Sequence, residues 1–260
     1  MKNLHQFKLF DSHFHIIDQR FPLISNQGFI PDNFSINDYK TRTRHYDIGG
    51  GAIVCGSFQA FDQTYLLAAL KELGPGFAGV AQLPATVSDG ELVDLNEAGV
   101  RAVRFNLKRG GSERVENLER FAMRVHETVG WHTELYVDAK DLPDLHQFLV
   151  KLPAVSIDHL GLTAAGLPAL LALVEKGVYV KATGFGRVDF EVGEVLRAIT
   201  ATNPQALIFG TDLPSTRAPE PYSDADFFRV IDALGEELAS RVFYQNAINL
   251  YRPRSLKQNA

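Results

Sequence analysis

The chain has 260 residues, 45% hydrophobic and 22% charged, with a formal net charge of −5. Such a balance suits a globular protein with a sizeable core, and with no basic run it excludes general nucleic-acid binding while leaving room for a locally basic pocket. Length alone allows two small domains or one large one, because α/β barrels of this size fold as one unit.

Short apolar segments alternate with helical patterns along the whole chain. The first strand is expected at Lys8–His15, followed by a long mixed segment, Asp18–Pro31, that reads as a loop over a barrel mouth. Further strands are expected at Ala52–Ser57, Phe77–Leu83, Val100–Asn106, His132–Val137, Val155–His159, Val178–Ala182 and Ala206–Thr211. Several are apolar at nearly every position, as strands covered on both faces are. Helix starts are marked by the capping-box pairs Ser35/Asp38, Ser88/Glu91 and Ser223/Asp226, and by Pro143 and Pro168 in first turns. Helix ends are expected at Gly74, Gly99, Gly130, Gly177 and Gly235. A Pro-rich stretch, Ser215–Tyr222, reads as a second loop, and the polar tail Arg252–Ala260 is expected to fray.

Eight strand–helix pairs predict an α/β fold, a single (β/α)8 TIM barrel, with residues 1–260 forming one domain. An open doubly wound sheet is the competitor, but no Gly-rich phosphate loop follows the first strand. Cys55 is the sole cysteine, so no intramolecular disulfide can form and a reducing compartment is the simplest reading. No continuous apolar leader opens the chain, and the longest apolar stretch, Leu167–Val174, is interrupted by Pro168 and too short to span a bilayer. A cytoplasmic protein without membrane contact is expected. Nothing in the sequence specifies an oligomeric state.

Three predicted strand ends carry chemistry. The first holds Asp11-Ser12-His13-Phe14-His15, where positions two apart face one side and bring His13 and His15 together. The sixth ends in Asp158-His159-Leu160-Gly161, and the eighth in Phe209-Gly210-Thr211-Asp212-Leu213-Pro214. Each has a plain alternative: a solvated strand end, a hydrogen-bonded core histidine, an Asp that caps a turn. Convergence of all three on one barrel mouth favours function, since catalytic groups on this fold collect there. Arg104 within an apolar strand and Lys181 in Val178-Tyr179-Val180-Lys181-Ala182 are awkward as surface residues. Guanidinium forks grip carboxylates, so Arg104, Arg109 and Arg187 together imply a small anionic substrate.

The ordered series of these motifs resembles the amidohydrolase superfamily, and within it the branch of 2-pyrone-4,6-dicarboxylate lactonase and related lactonases. The likeness extends through Pro31-Asp32-Asn33-Phe34, Gly99-Val100-Arg101-Ala102-Val103-Arg104-Phe105-Asn106, Gly130-Trp131-His132 and Val180–Arg187. The resemblance implies a lactonase-type hydrolase in which Asp212 is the general base and His13, His15 and His159 orient the lactone and stabilise the oxyanion. It assigns Ser57, Arg104, Arg109 and Arg187 to substrate contacts, with Tyr136 as a further donor. Metal-dependent relatives have a histidine where Tyr136 stands, and a phenol beside Arg104 is a poor zinc site. The expectation is therefore that no cofactor is required. The alternative is a metal-dependent hydrolase or decarboxylase with Zn2+ or another divalent metal on His13, His15 and Asp212, which Glu134 could complete. A barrel that binds an anion without turning it over is a third reading, disfavoured by the intact histidine and aspartate set. The sequence departs from the branch at Leu213-Pro214-Ser215, after the strand-eight Asp, and at Phe29, where a tyrosine would be expected.

Overall fold

The eight expected segments are buried at nearly every position, with apolar residues interrupted by buried polar ones such as His13, Arg104, Glu134 and Lys181, and in the computed structural model, which describes residues 3–255, each segment is a parallel strand. They are β1 (Lys8–Phe14), β2 (Asp47–Val54), β3 (Phe77–Ala81), β4 (Val100–Asn106), β5 (His132–Tyr136), β6 (Val155–Ile157), β7 (Tyr179–Ala182) and β8 (Leu207–Phe209). Their order in the sheet follows the chain, β1 through β8. The last seam is drawn together by Ser12 Oγ donating to Phe209 O (2.6 Å), Asp212 N to His13 O (2.7 Å) and His15 N to Leu213 O (2.7 Å). Gly210 permits this approach, since a Cβ there would lie 2.6 Å from His13 N. The result is the (β/α)8 barrel that the alternation predicts.

Helices α1 (Ile36–Thr43), α2 (Thr64–Leu73), α3 (Asp89–Ala98), α4 (Leu118–Val129), α5 (Leu142–Leu149), α6 (Leu167–Glu175), α7 (Val192–Thr202) and α8 (Asp224–Ser240) surround the strands. The capping boxes at Ser35, Ser88 and Ser223 are formed, and Pro143 and Pro168 sit in first turns. Gly235 is non-helical (φ 76°, ψ 164°) and ends the first stretch of α8 as expected, and a second stretch runs on to Ser240. A π-helical turn, Arg241–Gln245, then leads into α9 (Asn246–Tyr251), an element beyond the eightfold repeat. Arg252–Ser255 is anchored, with Arg252 Nη2 donating to Gly130 O and Ser255 N to Pro75 O; the rest of the expected fraying tail lies outside the described residues. Among the described residues no helix is long and apolar enough to cross a membrane.

The main core lies between strands and helices, and a smaller one fills the barrel. Inside, Ala52, Ala78 and Ala102 leave room for Phe10 to stack on Tyr251 of α9, ring centroids 5.2 Å apart. Tyr251 thus floors the barrel. β1 gains one residue against β2 between Asp11↔Gly51 and Phe14↔Ile53. This bulge resets the alternation of faces. Phe10 points inward, yet His13 and His15 do too, while Phe14 stacks outward on Tyr39 at 4.0 Å.

Candidate active site

The inward side chains at the upper ends of the strands are polar. His13 and His15 stand edge to face with ring centroids 5.2 Å apart, and His159, after β6, lies 4.9 Å from both the His13 and the Tyr136 rings. Asp212, after β8, points Oδ1 at His13 Nε2 (3.8 Å) and His15 Nε2 (3.9 Å). Its other oxygen, Oδ2, accepts from Arg187 Nε (2.8 Å) and lies 2.7 Å from Nη2, so the carboxylate cannot turn. His159, Asp212 and Arg217 all take left-handed backbone conformations (φ 51°, 60° and 58°). Non-glycine residues held there cost of order 1–3 kcal/mol each, and such positions cluster at functional sites.

A second tier lies beneath. Arg104 Nη2 meets Asp158 Oδ2 at 2.7 Å, and its Nη1 donates to Cys55 O. Lys181 Nζ reaches Glu134 Oε2 at 2.5 Å, and Glu134 Oε1 accepts from Tyr251 with His132 Nε2 3.1 Å away. Burial alone would raise the carboxyl of Asp158, but Lys181, His13 and Arg104 together hold it well below the ordinary range. Burial likewise opposes ionisation of Glu134, and Lys181 and His132 outweigh it, bringing it to about 2. Three buried carboxylates (Glu134, Asp158, Asp212) therefore face three buried cations (Lys181, Arg104, Arg187).

The pocket above is small, with a cavity volume of about 40 Å3. It brings together His15, His159, Asp212 and all five expected substrate contacts: Ser57, Arg104, Arg109, Tyr136 and Arg187. His13 is buried beside it against Asp212. Arg104 and Arg187 are already paired with carboxylates, whereas Arg109 forms no ion pair among the described residues. Sequence reasoning missed Arg217. It reaches the pocket from the loop after β8, holds Asn26 of the 18–31 loop, and lies 4.3 Å over the Phe29 ring. That first loop also reaches Arg109 O through Asn26 Nδ2 (3.2 Å), so both expected loops do cover the mouth.

A nitrogen from each of His13 and His159 and an oxygen of Asp212 lie within 4.8 Å of one another. His13 Nε2, His159 Nδ1 and Asp212 Oδ1 are buried without hydrogen-bond partners among the described residues. Two imidazoles and a carboxylate are the donor types a divalent metal takes. The cluster contains His159 where the sequence pointed to His15, whose Nδ1 donates to Val54 O at 2.7 Å.

Burial lowers the basicity of all three imidazoles, well below the ordinary range for His15 and His159. A group with a depressed pKa stays neutral until the pH falls beneath the usual imidazole value. If these histidines serve turnover in the neutral form, kcat/KM should stay flat as the pH drops through 6.5 and decline only below it. A pH–rate profile with its acid midpoint at or above 6.5 would contradict this.

The sequence profile of the family described as Amidohydrolase matches residues 10–252. The chain is 32% identical over 165 residues to 2-pyrone-4,6-dicarboxylate hydrolase of Comamonas testosteroni, a match covering 60% of this chain and 54% of that one. That alignment thus spans about half the length of the Comamonas protein. The chain is 25% identical over 258 residues to 4-sulfomuconolactone hydrolase of Rhizobium radiobacter, covering 89% and 85%. In fold it is similar to an apo crystal structure from Agrobacterium tumefaciens, with a TM-score of 0.82, 22% identity and coverage of 96% and 97%.

Proposed function

The chain belongs to the amidohydrolase family, and from that premise we propose that it is a hydrolase opening a carboxylated lactone, of the 2-pyrone-4,6-dicarboxylate or sugar-acid type. The observation that carries the reading is a carboxylate oxygen, Asp212 Oδ1, aimed at two histidines in a pocket lined by four arginines and no other acid. In this reading Asp212 takes a proton from water as the water attacks the lactone carbonyl. His15 Nδ1 donates to a backbone carbonyl, so its Nε2 carries the lone pair and can accept the water's second proton as a hydrogen bond. His13, His159 and Tyr136 supply the remaining contacts to the lactone and to the oxyanion that forms. Residues 1–260 act as one barrel domain, in the cytoplasm, on a small anionic substrate and without nucleic acid or membrane.

Both named relatives carry anionic lactone chemistry in their names, which supports the same substrate class here. A divalent cation held by His13, His159 and Asp212 would supply Lewis-acid polarisation at the same place. Glu134, Asp158 and Asp212 around the pocket each already have a buried cation partner, and that favours the metal-free reading.

Of the four pocket arginines, Arg109 and Arg217 have no carboxylate partner among the described residues, and they anchor the substrate's charge alongside Ser57, with Arg104 and Arg187 behind them. A hydrogen bond to a charged group contributes about 1.5–3 kcal/mol. Arg109→Met should therefore raise KM for a carboxylated lactone roughly tenfold or more, at 1.4 kcal/mol per decade. A neutral lactone of equal size should be little affected. The test is a panel of paired lactones, with and without carboxylates, assayed on parent and variant. Preference of the parent for neutral lactones would sink the anionic assignment.

A further inference from the structure

Lys181 is fully buried in the barrel, although the mechanism above gives it no task. Its ammonium faces three acceptors: Glu134 Oε2 at 2.5 Å, His13 Nδ1 at 3.3 Å and Asp158 Oδ1 at 3.5 Å. An ammonium has three protons and no lone pair, so any imidazole nitrogen bonded to it must be the accepting one. In a neutral imidazole the other nitrogen then carries the hydrogen. For His13 that is Nε2, which faces Asp212 Oδ1.

We propose that Lys181 is a positioning residue that locks His13 as an Nε2–H donor, and so keeps the His13/His159/Asp212 cluster a hydrogen-bonding site rather than a metal site. A histidine that binds a metal through Nε2 needs that lone pair free, with Nδ1–H donating to an acceptor behind it. The acceptor is present: Asp158 Oδ1 lies 3.4 Å from His13 Nδ1. Lys181 competes for the same nitrogen and reverses the polarity of the ring. Without Lys181, Asp158 takes Nδ1–H and the Nε2 lone pair turns toward Asp212 and His159. Donor atoms of His13, His159 and Asp212, within 4.8 Å of one another, are then all available. The inference rests on the site described above as the reacting centre, but neither of its readouts uses turnover, so it can fail or stand apart from the lactonase reading.

The first readout is on the parent protein. Long-range 1H–15N spectra of the histidines, with His13 assigned by its loss in His13→Gln, should show a protonated Nε2 and an unprotonated Nδ1. A protonated Nδ1 would overturn the proposal. The second is zinc titration of metal-free protein by calorimetry, with cobalt absorption as a check on geometry. Lys181→Met should bind one zinc at least 100-fold more tightly than the parent, and His13→Ala in that background should remove the gain. Equal zinc affinity in parent and variant would overturn it. Lys181→Met leaves Glu134 without its ammonium, so Lys181→Met/Glu134→Gln serves in its place should the single variant not fold, with the same two outcomes.

Discussion

Asp212→Asn should lower kcat by roughly 10²–10⁴-fold, the range that positioned acid–base groups supply, with KM and the melting temperature little changed. Arg187 sharpens this expectation. It has only donors to offer and grips the Oδ2 position, so an amide there will turn its oxygen to Arg187. The amide NH2 group then occupies the place of Oδ1, presenting hydrogen toward the histidines where the parent presents a lone pair. The variant keeps the shape of the site and inverts its polarity at the reacting position. Steady-state kinetics with a carboxylated lactone, beside thermal melts of both proteins, would decide it. Activity within a few-fold of the parent would remove Asp212 as the base.

Arg104→Met should destabilise the fold by about 3–5 kcal/mol, because it leaves the Asp158 carboxylate buried without its closest cation. At a few degrees per kcal/mol for a chain of this size, the melting temperature should fall by roughly 10 °C. Arg187→Met should cost a comparable amount, since Asp212 is as buried as Asp158 and loses its paired cation. In the sequence Arg104 lies within an apolar strand and Arg187 beyond a strand end, and both are expected at one pocket. Their partners separate them further: Arg104 pairs with Asp158 beneath the pocket, and Arg187 holds the Asp212 carboxylate. A thermal melt of Arg104→Met within about 2 °C of the parent would show that Lys181 alone suffices for Asp158.

Local pattern made much of this legible. Seven of the eight strands begin within one residue of the expected position, because apolar runs and helix caps are short-range signals. β2 begins five residues earlier than expected, at Asp47 rather than Ala52. Gly49, Gly50 and Gly51 look like a loop, yet there they serve packing: a Cβ on Gly50 would sit 2.2 Å from Gly76 O. The histidine pair was readable from its spacing, but the bulge that puts Phe10 on the same face was not. Spacing also cannot pair Lys181 with Glu134, or Arg217 with Asn26, because those contacts join residues far apart in the chain. Arg217 had a faint signal in the Pro-rich loop that holds it. Tyr251 had none, since an aromatic in a short terminal helix looks the same whether it covers a surface or enters a barrel.

The floor made by Tyr251 bears on how the protein is born. Its hydroxyl reaches Ser12 O across 239 positions of sequence and Glu134 across 117. During synthesis from the N-terminus, every strand is made before the residue that closes the barrel beneath them. Until then the emerging chain holds a carboxylate at Glu134 short of one partner and an apolar ring at Phe10 without its stacking neighbour. Contacts this distant are slow to form and leave incomplete states open to aggregation. The floor is therefore made after every strand above it, and a chain cut short a few residues before Tyr251 carries all eight strands and no floor.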